Sequence, residues 1–126
     1  MVEIFIDGLL SANPSSIYTL TNGRVYPLVL PKDPVFPAIH YSFVGGNSTS
    51  TFDTFGTQKQ RLEVNCWGGS YSDAVTLRKA VVATLSQYNQ AGVFITFLSS
   101  TDFFDHEALS YRAMAEFYVF SQFSPQ

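Results

Sequence analysis

At 126 residues the chain is one domain, long enough to bury a core without disulfide or metal staples. The net charge is −3 and the seven basic residues form no run, which argues against stable nucleic-acid binding, where clustered Lys and Arg neutralise phosphates. The lone Cys66 excludes an intramolecular disulfide framework. Aromatic residues (16%) outnumber charged ones (13%), so part of the surface is expected to be covered by other subunits.

Along the chain, Val2 to Leu10 carries apolar residues at Val2, Ile6, Leu9 and Leu10, with Glu3 and Asp7 between them. Acids in the first turns suit a helix N-terminus, so a short amphipathic helix is expected, weakened by Gly8. The same acids, with no basic residue before Ile4, are the wrong charge for a signal peptide; a soluble, intracellular protein is expected. Asn13-Pro14 has the pattern of an N-cap with proline at the first helical position. It predicts a brief turn of helix through Leu20, ended by Asn22-Gly23. Arg24 to Leu30 is strand-like and stops at Pro31. Pro31, Pro34 and Pro37 make a stiff connector that has no place in a central strand. Ala38 to Val44 alternates, with Ile39, Tyr41 and Phe43 on one face and Ala38, His40 and Ser42 on the other. Asn47 to Gln58 is rich in Ser and Thr and predicts a long exposed hairpin loop. In Arg61–Trp67, Leu62, Val64 and Cys66 share one face; Arg61, Glu63, Asn65 and Trp67 share the other.

Ser70, with Asp73 three residues on, predicts a capped helix start. Ala74, Leu77, Val81, Leu85 and Tyr88 form its apolar stripe, opposite Thr76, Lys79, Ala83 and Ser86, and Gly92 is read as its stop. Val93–Ser99 and Tyr111–Gln122 are the closing strands, joined by an acidic turn, Asp102–Glu107. The uncharged stretch Ala80 to Thr101 is broken by polar residues and reads as helix end plus strand, not a membrane span. In the closing strands both faces are apolar. Val93, Ile95 and Phe97 can face the helix, but Phe94 and Leu98 then point away. Ala113, Ala115, Phe117 and Val119 share one face, and Met114, Tyr118 and Phe120 the other. A sheet with one wet face alternates more cleanly. The second face is expected to be covered partly by the N-terminal helix and otherwise by a neighbouring subunit.

Candidate chemistry is sparse. Asp102, Asp105, His106 and Glu107 are the one cluster resembling metal ligands, but they lack calcium-loop spacing, and a solvated turn is the stronger reading. A His40–Cys66 pair would in principle activate a thiolate. Cys66 lies on the apolar phase of its strand, however, where cysteine acts as a small hydrophobe. There is no glycine-rich nucleotide motif, P-loop or nucleophile elbow. Gly68-Gly69 before the helix is better explained by capping than by anion binding, because Asp73 already occupies the first turn. Asn47-Ser48-Thr49 matches a glycosylation acceptor and is taken as coincidental without a secretion signal. Arg24, Arg61 and Arg112 read as structural partners of Glu63 and Glu116. No catalytic residue, metal or cofactor is expected.

Several short motifs occur in order: Gly23-Arg24-Val25-Tyr26-Pro27, Pro37-Ala38-Ile39-His40-Tyr41, Arg61-Leu62-Glu63-Val64-Asn65-Cys66-Trp67, then the helix and Tyr111-Arg112. From about Asn13 to Phe120 this order resembles the small tail-completion proteins of long-tailed bacteriophages and prophages, also called tail terminators or head–tail joining proteins. The resemblance implies an α+β fold with an antiparallel sheet of four to five strands on one long helix, preceded by a short N-terminal helical segment. It implies a non-enzymatic structural protein of the virion, assembled in the host cytoplasm. Its partners would be itself in a hexameric ring (monomeric before recruitment), the tail tube protein and the head–tail connector protein. DNA would pass through without specific binding, for which an acidic chain is suited, and no membrane partner is expected. The loop Asn47–Gln58 is expected to project toward the lumen or a ring neighbour, with Phe52, Asp53 and Phe55 as contacts. Phe94, Leu98, Met114, Tyr118 and Phe120 are expected contacts on the second sheet face. The rival readings are a small-molecule- or peptide-binding α+β module and a small enzyme built on the acidic turn and His106.

Overall fold

Two long central strands set the architecture. β4 (Gln58–Gly68) and β7 (Ser110–Ser121) pair antiparallel along the whole of β4, and their alternating apolar residues fall in register. Leu62 lies opposite Phe117, Val64 opposite Ala115 and Cys66 opposite Ala113, and all six are buried. Because successive residues in a strand face opposite sides, one face of both strands is committed to a core. The computed structural model describes residues 2–12, 16–44, 51–52, 58–90, 92–106 and 110–121.

The remaining elements are α1 (Val2–Leu10), α2 (Ser16–Thr21), β1 (Val25–Pro27), β2 (Ala38–Val44), β3 (Thr51–Phe52), α3 (Tyr71–Leu85), β5 (Asn89–Gln90) and β6 (Val93–Asp105). The sheet runs β1-β2-β4-β7-β6-β5, with β3 paired to the start of β4. The pairs are antiparallel except β1–β2, which is parallel. This is the expected α+β architecture with one main helix and short helices before it. The sheet gains strands because β3 and β5, of two residues each, add to its margins, and because Arg24's run docks alongside β2.

α3 lies on the committed face through Ala74, Leu77, Val81 and Leu85. Its start is fixed by Ser70, whose Oγ accepts the Asp73 N–H at 3.1 Å. Gly68 permits the close approach of β4 to this turn. A Cβ there would lie 2.7 Å from the Ala74 nitrogen. The helix stops at Leu85, earlier than the expected Gly92. Ser86 caps it, Gln87 takes a positive φ of 59°, and Tyr88 turns back to accept from Ile95 N at 2.9 Å. Gly92 (φ 77°) serves the β5–β6 turn instead.

The N-terminal helices join the same side. Ile6, Leu10 and Ile17 are fully buried in one cluster with α3 and the sheet, α1 against α3 and β1 and α2 against α3. Asp7 accepts from the Tyr41 hydroxyl at 2.6 Å, pinning α1 to β2. The expectation that this helix covers the second sheet face is therefore overturned. Its apolar stripe is continuous with the core already beneath α3, where burial removes more surface from water.

Other expectations also change. Arg24–Leu30 is strand only over Val25–Pro27, because Leu28 adopts φ 70° and ends the pairing. The acidic turn shrinks, since β6 runs on to Asp105 and β7 starts at Ser110. Phe97 and Ser99 flank a break in register opposite Phe117 and Glu116, so Leu98 is the extra residue of a bulge. Phe97 keeps the helix side but is 40% exposed. The Asn13-Pro14 start, Asp53 and Phe55 lie outside the described residues, as does most of Asn47–Gln58; Phe52 is described only as part of β3. No helix among the described residues is long and apolar enough to cross a membrane.

The burial of Leu77 sets a test. Leu77→Ala should destabilise the protein by roughly 2–5 kcal/mol, whereas Lys79→Ala on the exposed side should change stability by less than about 0.5 kcal/mol. Denaturant titration of both variants measures the difference.

Candidate functional site

Among the described residues all the helices lie on one side, and the opposite face of β2, β4, β7 and β6 carries none. Its residues must satisfy one another. Arg61 and Glu116 form an ion pair at 3.0 Å, and Glu116 also accepts from Ser99 Oγ at 3.1 Å. These contacts relieve a local conflict, because Glu63 and Glu116 stand directly opposite across β4 and β7. Asn65, fully buried, donates to Glu63 at 3.2 Å and accepts from Arg112 at 2.7 Å, so it separates the second carboxylate from the guanidinium.

Arg112 lies between two aromatic neighbours in register, Trp67 on β4 and Phe103 on β6. Its guanidinium is 4.0 Å from the Phe103 ring centre and 5.6 Å from that of Trp67. Trp67 donates through Nε1 to His40 Nδ1 at 2.8 Å and stacks on Phe36. At the other end of the face, Lys59 sits 4.2 Å above the Tyr118 ring and 5.9 Å from Phe120, and Phe120 meets Phe94 at 6.0 Å. Cations held over rings tolerate partial burial because the ring's negative face offsets some lost hydration.

The five closing-strand candidates thus divide. Phe94 (41% exposed), Tyr118 and Phe120 form one exposed to half-buried cluster, while Leu98 (41%) stands apart on the bulge. Met114 is nearly buried on the same face. Of the arginines, Arg61 alone pairs with a predicted acid; Arg24 donates to the Pro37 carbonyl and Arg112 to Asn65. Asp102 is not a turn residue. It accepts from the Tyr71 hydroxyl at 2.8 Å and pairs with Arg78, tying α3 to β6. Those bonds hold the Asp102 carboxyl below its ordinary range and raise the Tyr71 phenol. Among the described residues no three His, Cys, Asp or Glu side chains gather as a metal site.

Sequence reasoning missed two features. The first is the Trp67–Arg112–Phe103 row, for which the signal was available: matched parity of three strands whose order was unknown. The second is the turn after β1. Val29 N–H donates to Pro27 O at 2.8 Å around Leu28, a γ-turn with positive central φ, and the Leu28 N–H donates to Tyr41 O at 2.8 Å. Leu28 and Val29 are thereby presented to solvent, 69% and 70% exposed.

The polar side chains of this face bond to one another and hold the sheet together. The chain belongs to the tail completion protein gp17 family, whose model matches residues 8–121; it is a phage tail-completion component of the virion and not an enzyme. A chain from the virion of a native gene transfer agent (GTA) particle is similar in structure, with a TM-score of 0.67 and 17% identity. The likeness covers 90% of this chain and 88% of that chain, and at this identity it concerns the fold. Comparison with curated proteins gives no match.

Cys66 provides a direct check on the non-catalytic reading. Its side chain is fully buried, and burial pushes the thiol far above its ordinary range. A thiol reagent should leave the native protein unmodified at neutral pH and label it stoichiometrically once denatured.

Proposed function

We propose that the chain acts as a ring subunit that caps the tail tube, joins it to the head connector and lets DNA pass through the opening. The observation that carries this reading is the position of the exposed apolar residues. One group, Leu28 and Val29, follows β1 at one margin of the sheet. A second set lies on β6 near the opposite margin, where β5 pairs only with Val93 and Phe94, with Phe97 and Phe104 on the helix side, Phe94 and Phe103 on the outer face and Leu98 on the bulge; Val35 and Tyr71 are exposed elsewhere. Two different exposed sets at opposite margins of one subunit suit a heterologous contact, which builds a ring when its rotation closes.

Strain in the first patch supports the same reading. A leucine at φ 70° costs on the order of 1–3 kcal/mol, and such strain is retained where it positions a contact. The Phe94–Phe120–Tyr118 cluster would meet the tube, the connector or a ring neighbour, with Phe52, Asp53 and Phe55 proposed as further contacts from the loop. Closed symmetry fixes the size of the opening, and an acidic chain passes DNA without holding it.

Leu28→Gly separates folding from assembly. Glycine accepts the positive φ, so monomer stability should rise by up to about 1 kcal/mol. Ring formation should weaken by about tenfold or more, as for loss of an anchoring side chain. Denaturant titration reads the first effect, and light scattering with the yield of finished particles reads the second. Unimpaired assembly would remove this turn from the interface. Tyr118→Glu tests the sheet face separately. Because no second core lies beneath α1, the variant should keep its near-UV spectrum and lose about 1 kcal/mol or less. Its finished particles should nevertheless fall sharply; normal yields would leave that face outside the assembly.

A further inference from the structure

One hydrogen bond on the outer sheet face depends on a protonation state. The Trp67 indole is a donor only, so its 2.8 Å bond to His40 Nδ1 requires that nitrogen to be unprotonated. Trp67 is also the platform against which Arg112 rests, at 5.6 Å. The groups facing His40 come from every strand around it. Tyr26 of β1 and Asn65 of β4 are its register neighbours, Glu63 and Trp67 flank Asn65 on the same face of β4, and Arg112 approaches from β7. Glu63 is the anion of this set and already accepts from Asn65; Arg112 is the cation and is held by Asn65 and Phe103.

We propose that His40 and Trp67 form a proton-operated latch: a proton taken from solvent onto His40 Nδ1 turns the acceptor into a donor, breaks the Trp67 bond and frees the Trp67 indole to change position beside Arg112. The step transfers one proton and nothing else. It places a second cation beside Arg112, so the charge of the face rises as its geometry loosens. The Trp67 N–H then faces a second donor and no acceptor, and Glu63 draws the imidazolium toward β4. The inference rests on the His40 cluster and not on ring formation.

Burial and the nearby Arg112 charge lower the proton affinity of His40, and Glu63 opposes them. The latch is therefore closed at neutral pH. A histidine with a depressed folded value binds its proton more readily when unfolded. Its contribution to stability is complete above pH of about 6.5 and is lost as the pH falls from there through the folded value.

Trp67 is the sole tryptophan of the sequence and reports the event directly. Its emission should shift reversibly between pH 8 and pH 5, roughly the range in which histidine titrates, with a midpoint on the acid side of free histidine and with the far-UV spectrum unchanged. His40→Asn supplies an acceptor at the Nδ1 position that does not titrate; it should keep the neutral-pH emission and lose the shift. His106→Asn, altering the other histidine, should retain it. The proposal is overturned by flat wild-type emission across this range, by a shift that persists in His40→Asn, or by loss of the far-UV signal together with the emission change.

Discussion

Every strand in a sheet has two faces, and in this chain α1, α2 and α3 all lie on one of them. That constraint governs the rest. The covered face of β4 and β7 is a run of Leu62, Val64, Cys66, Ala113, Ala115, Phe117 and Val119, closed by Ala74, Leu77, Val81 and Leu85 from α3. Adding Ile6, Leu10 and Ile17 to this cluster enlarges one core. Splitting them off to shield the other face would build two thin layers, each too small to exclude water effectively.

The bare face consequently supplies its own cover. Asn65 is fully buried and Met114 nearly so beneath long neighbouring side chains, without a second layer of secondary structure. Arg112 and Lys59 end over rings and Arg61 ends on Glu116; long side chains of this kind can cover apolar surface while keeping the charge near water. A face built this way has many polar contacts and a high aromatic content. Both properties suit a surface that persists in water and then meets another protein.

At the margins of the sheet the balance differs. β1 is short, contains Pro27 and ends in the Leu28 turn, so it offers little free backbone for strand pairing. β6 carries a bulge at Leu98 and a charge at Asp102, devices that also discourage edge-to-edge pairing. The exposed side chains at these margins suit contacts made by packing. This is consistent with the low charged fraction of the composition, which left too few polar residues to cover every surface.

The sequence by itself determined the elements whose signals are local. Alternation in Ala38–Val44 and Arg61–Trp67 marked the covered faces, and Ser70 with Asp73 marked the start of α3. The order of short motifs already resembled the family to which the chain belongs. Tertiary structure decided what depends on partners distant in the chain. The end of α3 at Leu85, and not at Gly92, follows from Tyr88 bonding Ile95. The side on which α1 lies follows from burial of Ile6 and Leu10 in the core beneath α3, with Asp7 bonded to Tyr41, and the position of Asp102 from Tyr71 and Arg78. The Trp67–Arg112–Phe103 row required knowing that β7 lies between β4 and β6. Periodicity tells which residues share a face of one strand; only the pairing of strands decides which side chains meet across it.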